Sequence, residues 1–518
     1  MQMRCEIVET LYNEAWAFCE LNDVEVLMDQ QQTPLFSALV THAKKKPWQF
    51  HIPGHKTGKA MDPVFRDFIG EDALSIDLIN IGPLDDLMHP TGIIKEAQTL
   101  ASEAFGADQT YFSVQGTSGA IMAMIMAVVG PGDEILVPRN IHKSVLTAII
   151  LSGARPYFLQ PEVDHHLGIA HGVRVETVEQ GLIDHPKVKA VLLINPTYFG
   201  VATDLVSIVK IAHARGVAVL VDEAHGVHTH FHEDLPLSAM QAGCDLAATS
   251  VHKLGGSMTQ SSVLNVREGI VRARHVHAIL SMLTTTSTSY LLLASLDTAR
   301  RQLAVHGHAL LEHAITLANE ARAQINEIPG LSCFGKEILQ SSATFAFDPL
   351  KLTIHVAELG LTGYDVENRL REEYNIEVEL SDLYNILCIV SFGDDQTSIH
   401  VLVDALRDLA SHTQSDAKKK HTVVVPSTPR LAMSPREAFY AKTKVVRLAE
   451  SVGMTMADMI MVYPPGIPIL LPGEVVTQDN IDYIEANLAA GLPVQGPDDP
   501  TIQTIRVVDE QNMHERGR

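Results

Sequence analysis

Cysteine is scarce in this chain of 518 residues: Cys5, Cys19, Cys244, Cys333 and Cys388 are scattered and odd in number. None forms C-x-x-C, which argues against a zinc ribbon and a disulfide scaffold and fits a reducing, cytoplasmic setting. No apolar run reaches the roughly 18 residues of a membrane span. The opening MQMRCEIVETLYNEAW has neither the basic start nor the apolar core of a secretory signal. Bases are outnumbered 39 to 62, giving a formal net charge of −23. So negative a surface repels phosphate backbones, which argues against nucleic acid as a partner, and it suits a cationic small molecule. Charged residues are nonetheless only 19% and hydrophobic ones 46%, a balance that excludes disorder as the dominant state.

At about 100–200 residues per domain, the length predicts about two to four domains. Residues 1–75 read as a leader and arm, of which the first 27 carry Arg4 as their only base and are patterned for a short amphipathic helix. Met28 offers a second start, and two readings stand side by side: an artefact upstream of the true start, or a genuine arm. Over 76–327, apolar runs alternate with helical patterns: 110–114, 134–138, 156–160, 189–195, 217–222, 246–251 and 261–266. Such runs predict strands buried on both faces, hence a mostly parallel sheet in an α/β fold whose ligands bind at the strands' carboxyl ends. Helices are expected from Ser118, from His142, and over 290–327. A smaller α+β unit follows over 328–412, with strands at 343–347, 351–356, 375–380 and 386–391 and helices near 363–373 and 397–411. A polar linker at 413–424 leads to a Pro- and Gly-containing unit over 425–518.

VAVLVDEAHG (217–226) resembles the magnesium-binding strand of a DEAH-type ATPase, but that enzyme also needs G-x-x-x-x-G-K-[ST]. The nearest run, Gly54 to Ala60, is one residue short between its glycines and has Ala60 where a hydroxyl is required, so the ATPase reading fails. His225, His228, His230 and His232 invite a metal, as do His51 and His55. H-E-x-x-H is absent, however, and the proline and glycine in HIPGH break the helix that would present the last pair together. No metal is expected.

A third constellation is coherent. Asp222 ends one predicted strand, Ser250-Val251-His252-Lys253 ends another, and Gly116-Thr117-Ser118 opens a helix. These are the parts a pyridoxal 5′-phosphate site requires: an amine to form a Schiff base, a carboxylate to hold the pyridine nitrogen protonated, and a helix start with hydroxyls for the phosphate. Taken singly, each is commonplace, since a strand-end Asp often caps a helix and Thr-Ser-Gly is an ordinary cap.

HIPGHKTG (51–58), FSVQGTSGA (112–120), PRNIHKSV (138–145), INPTYFG (194–200), VDEAHGVH (221–228), TSVHKLGGSMTQ (249–260), LTTTSTSY (283–290) and VYPPGIPI (462–469) together resemble the bacterial ornithine/lysine/arginine decarboxylase family. The resemblance runs from about Thr33 to Val508 and is nearest to the short biosynthetic arginine decarboxylases of Gram-positive type. It implies an aspartate-aminotransferase-like large domain, a small domain and a C-terminal domain. It also implies Lys253 as the cofactor-binding amine, Asp222 on the pyridine nitrogen, Ala224 and His142 on the two ring faces, and His225 near the ring hydroxyl or the substrate carboxylate. Gly116, Thr117, Ser118 and Ser250 would hold the phosphate, with Thr197 beside the cofactor. His252 is implied either as a proton donor or as a spacer behind the site. A homodimer or higher homo-oligomer with shared sites is implied too, Thr286 in the run Thr284-Thr285-Thr286 reaching a neighbour's phosphate. The large family members' N-terminal wing has no room before His51, so a smaller assembly than theirs is expected.

For the substrate's cationic tail, IEVELSDLYNI (376–386) offers Glu377, Glu379 and Asp382, with the first two expected on one face of a strand. Tyr463, in a proline-rich run, would close over the site. The reaction expected is α-decarboxylation of a basic amino acid: arginine to agmatine, in polyamine biosynthesis, with lysine or ornithine as alternative substrates. An aminotransferase would need an arginine at a strand end of the small unit, and the best candidate, Arg371, falls mid-helix; an inactive regulatory binder would lack Lys253 or Asp222, and both are present.

Overall fold

In the computed structural model of the protein, the seven apolar runs become one sheet. The structure describes residues 29–413, 426–462, 467–489 and 494–512. The leader, nearly all of the expected linker and Tyr463 therefore lie outside the described residues. The strands are β1 (Gln109–Ser113), β2 (Glu134–Pro138), β3 (Arg155–Leu159), β4 (Val188–Ile194), β5 (Ala218–Asp222), β6 (Leu246–Thr249) and β7 (Ser262–Val266). They lie in the order β1-β7-β6-β5-β4-β2-β3. The five from β6 to β3 run parallel, and β7 pairs antiparallel with both β6 and β1.

The two-sided burial is visible along β5. Ala218 and Leu220 pack on one face with Ile121 and Ile125 of helix α1 (Gly116–Met126) and Val145 and Ile149 of α2 (Lys143–Ser152). Val219 and Val221 pack on the other with Leu205, Ile208 and Val178. Each fully buried Val, Leu or Ile contributes about 1.5–3 kcal/mol, so a strand apolar at every position is stable only in this sandwiched place. Both early helices begin within two residues of expectation. α2 starts after His142, whose Nδ1 accepts from Ser144 N–H at 3.2 Å and caps it.

Helix α3 (Tyr290–Asn326) matches the long helix read from the sequence and carries the chain to a second, antiparallel sheet. That sheet holds β8 (Ser332–Cys333), β9 (Lys351–His355), β10 (Leu380–Ser381) and β11 (Asn385–Ile389) in the order β8-β9-β11-β10. Helices Gly363–Tyr374 and Gln396–Ser411 agree with the sequence reading, as do β9 and β11. Two expectations are corrected. The strand placed at 343–347 is only Ala346–Phe347, and it pairs with Val201–Ala202 of the large unit instead of joining the small sheet. The strand placed at 375–380 shrinks to β10, because Asn375 adopts the left-handed conformation (φ 56°) to cap the preceding helix and turns the chain out of line.

Beyond residue 426, strands Thr443–Arg447 and Thr504–Val508 pair, and Ile460–Val462 lies between Ile467–Leu470 and Val494–Gln495, around a core that includes Met456, Ile460, Ile484 and Val507. A buried guanidinium ties this unit to the large sheet. Arg139, just past β2, donates to both carboxylate oxygens of Glu474, with 2.8 Å from Nη2 to Oε2, and its Nε donates to Pro468 O at 2.9 Å. Both side chains are at most 2% exposed. Among the described residues no helix is long and apolar enough to cross a membrane.

Removing one member of a buried, hydrogen-bonded ion pair strands the other charge and costs about 3–5 kcal/mol. Glu474→Ala is expected to lower stability to urea by that amount. A loss under about 1 kcal/mol would show that the pair does not hold the C-terminal unit in place.

Candidate active site

Parallel strands deliver their carboxyl ends to one edge of the sheet, and the loops leaving that edge enclose a cavity of about 640 Å³. Gly116, Thr117 and Ser118 come from the turn after β1, His142 from the turn after β2, and Thr197 from the turn after β4. Asp222, Ala224 and His225 come from the end of β5, and Ser250, His252 and Lys253 from the end of β6. These residues, singled out from the sequence, thus face one space. Thr286 does not line it: it is exposed.

Asp222 and Glu223 are both buried, yet only Asp222 turns to the cavity. Its Oδ1 accepts from Ala224 N–H at 3.1 Å, and burial pushes the carboxyl up to about 6 even though that bond and the Lys253 charge oppose the rise. Glu223 instead accepts from Ala239 N–H at 2.6 Å and from the Thr249 hydroxyl at 3.0 Å, a structural tie and not a metal ligand. Burial also lowers the Lys253 amine, opposed by Asp222 and Glu379. Lys253 Nζ lies 2.6 Å from His225 Nε2 and 5.5 Å from the Tyr198 ring centre. Burial first, then the Lys351 and Lys253 charges, holds His225 well below the usual imidazole range.

At the other end of the cavity Thr117 is a hydroxyl hub. Its Oγ1 is hydrogen-bonded to Ser250 Oγ and, at 2.7 Å, to Ser262 Oγ. Gly116 has φ +67°, and a Cβ there would meet nothing within 4 Å, so the backbone at the start of α1 stands open to a ligand. His252 Nδ1 is 2.8 Å from Ser261 O. A carbonyl only accepts, so this nitrogen carries a proton and turns that side of the ring away from the cavity.

The tail carboxylates divide. Glu377 and Glu379 are both exposed and lie just ahead of the strand that begins at Leu380, and Glu377 pairs with Arg371 at 2.9 Å, so neither Glu377 nor Arg371 lines the cavity. Glu379 accepts from the Tyr198 hydroxyl. Asp382 lines the cavity, accepts from Tyr384 and Asn385 N–H at 2.7 and 2.8 Å, and is pushed up to about 6 by burial. The clustered histidines separate as well. His228 Nε2 meets Asp348, His230 meets Ser238, and His232 meets Glu312.

Several lining residues were not singled out from the sequence, although Tyr198 and Phe199 fall within INPTYFG. Met459, Met461 and Gln495 reach the cavity from the C-terminal unit, and Tyr198 and Phe199 from the turn after β4. Behind His225 stands Lys351, whose Nζ lies 3.2 Å from Nδ1 of that ring. A lysine at the head of a buried strand, in LKLTIHV, was the signal that could have found it.

Residues 33–398 match the model of the Orn/Lys/Arg decarboxylase major domain, and 418–495 that of the family's C-terminal domain. The arginine decarboxylase of Halalkalibacterium halodurans is 65% identical over 93% of this chain and 98% of its own. That of Bacillus subtilis is 62% identical over 93% of this chain and 99% of its own. The Francisella novicida lysine decarboxylase structure shares the fold, with a TM-score of 0.80 at 24% identity over 92% of this chain and 81% of its own. The resemblance read from eight short motifs thus extends over the folded chain, which belongs to the Orn/Lys/Arg decarboxylase family.

Proposed function

We propose that the cavity binds pyridoxal 5′-phosphate and α-decarboxylates L-arginine, giving agmatine and carbon dioxide. The observation that carries this reading is the convergence of a partly buried amine, a buried carboxylate and an open helix start on one cavity. That donor set fits the cofactor. Lys253 would hold it covalently. Asp222, whose burial leaves its charge under-compensated, would gain a cationic ring nitrogen as partner. The Gly116 backbone with Thr117, Ser118 and Ser250 would take the phosphate, while Ala224 and His142 would flank the ring and Thr197 would sit at its edge. When bound, this group supplies a sink for the electron pair released as carbon dioxide leaves.

The residues of the chain do the rest. Asp222 presents a fixed negative charge where positive charge must be maintained, an electrostatic contribution that costs no reorganisation. His225, kept neutral between two amines, orients Lys253 and leaves room for a substrate carboxylate. The proton that replaces the carboxylate on the α-carbon comes from Lys253 Nζ, which starts as the free base and takes that proton from the substrate's α-ammonium group. Asp382 and Glu379 supply negative charge for the guanidinium, and Met459 and Met461 flank the methylene chain. The arginine decarboxylases similar to this chain support arginine over lysine or ornithine. We further propose a homodimer or higher homo-oligomer in which exposed Thr286 completes the partner's phosphate site.

Product analysis with arginine, lysine and ornithine, each with and without cofactor, is expected to give agmatine as the main product, and only when cofactor is present; preferential cadaverine or putrescine release would reassign the substrate. Lys253→Ala is expected to lose turnover, and normal carbon dioxide release from it would overturn the site. Asp222→Asn is expected to cut kcat by about a hundredfold or more while the protein without cofactor stays folded. The raised carboxyl also fixes a pH sign. Above about 6 Asp222 is ionised and attracts the cationic ring, and below that it is neutral. Cofactor affinity is therefore expected to weaken by about tenfold per pH unit below 6, and Asp222→Asn to lose that part of the slope, both read by equilibrium titration.

A further inference from the structure

We infer that Lys351 is a positioning residue: from behind His225 it fixes which ring nitrogen carries the proton, and through that ring it keeps the Lys253 amine in its free-base form. This rests on the reading of Lys253 as the reactive amine.

The lysine's placement is unusual enough to need a reason. Lys351 opens β9 and is fully buried, where a lone ammonium would cost several kcal/mol. Gly200 clears its stem: with φ +82°, it leaves space that a Cβ would fill at 2.7 Å from Lys351 Cγ. The compensating charge is Asp348, three residues earlier. Burial would raise that carboxyl, but His228 and Lys351 outweigh it and hold it below the usual range. Asp348 accepts from His228 Nε2 at 2.9 Å and from Leu350 N–H at 3.0 Å. Lys351 itself is lowered to about 8, chiefly by burial, so at neutral pH it remains mostly an ammonium.

An ammonium only donates. At 3.2 Å from His225 Nδ1, it makes that nitrogen an acceptor, and the neutral ring then carries its proton on Nε2. Nε2 is the atom 2.6 Å from Lys253 Nζ, so its N–H donates to Lys253, which can accept only through a free lone pair. The direction of proton sharing thus runs from Lys351 through His225 to Lys253. The charged and titratable groups facing this line are Lys253 and Lys351 on the ring, His228 and His142 near it, Tyr198 at 4.2 Å from ring centre to ring centre, and Asp348, Asp222 and Glu379 around the amines. A purely structural lysine would neutralise Asp348 without setting the His225 tautomer.

The test uses the full-length protein labelled with ¹⁵N-histidine, before and after loading with pyridoxal 5′-phosphate, with His225→Gln locating the signal. Wild type is expected to show His225 as the neutral Nε2–H tautomer between pH 6 and 8 in both states. A proton on Nδ1 would overturn the proposal without any variant having to fold. In Lys351→Met, the tautomer preference is expected to disappear, kcat to fall about tenfold or more, and the acid limb of kcat/KM to rise by about one pH unit as His225 begins to titrate. An unchanged tautomer and an unmoved limb would leave Lys351 a structural counter-charge only. Because the tautomer is read on protein without cofactor, it stands apart from the cofactor assignment, which fails separately if Lys253→Ala retains turnover.

Discussion

Burial of Asp222 at the last position of β5 is the constraint around which the site is organised. A carboxylate taken out of water must find a cation or become neutral. Here the nearest cation, Lys253, is itself partly buried, and each group is displaced toward its neutral form: the carboxyl upward to about 6, the amine downward. The charged form of each group is therefore under-compensated in the resting site. The cavity remains electrically unsatisfied at the position where a positively charged ring nitrogen would supply the missing partner. The overall charge of −23 has little to do with this, because surface charges are screened by water and salt while Asp222 is buried.

The sheet makes such burial possible. With apolar residues on both faces of β5, the strand has no wet side until it ends, so Asp222 leaves the core only at the edge where the neighbouring parallel strands also end. Parallel pairing brings the residues after β2, β4, β5 and β6 to the same level, and the antiparallel β7 does not disturb this because its partner β1 again ends on that side. Backbone topology, more than any single contact, brings residues as far apart in sequence as Gly116 and Lys253 together.

What the sequence revealed and what it hid follow the same division. Lys253, Asp222 and Gly116 to Ser118 were legible because each is the terminal residue or turn of a segment whose type is written in its own hydrophobicity. Lys351 was not singled out, since a lysine heading an apolar strand marks the position without telling which group its amine meets. Met459, Met461 and Gln495 were hidden because they arrive through tertiary docking of a unit with its own core. Glu377 and Glu379 show how strand bounds escape a period-two reading: Asn375 caps the preceding helix in the left-handed conformation, and the strand begins only at Leu380.

Arg139 and His142 sit three residues apart in a single turn after β2. The first is clamped by Glu474 and the second lines the cavity, while the unit that supplies Glu474 also supplies Met459, Met461 and Gln495 to the cavity wall. The C-terminal unit consequently behaves as a keystone. A break at Arg139 would strip away the wall that carries Met459, Met461 and Gln495 and loosen the turn that carries His142 in one event, so these two sides of the cavity cannot be weakened independently from that direction.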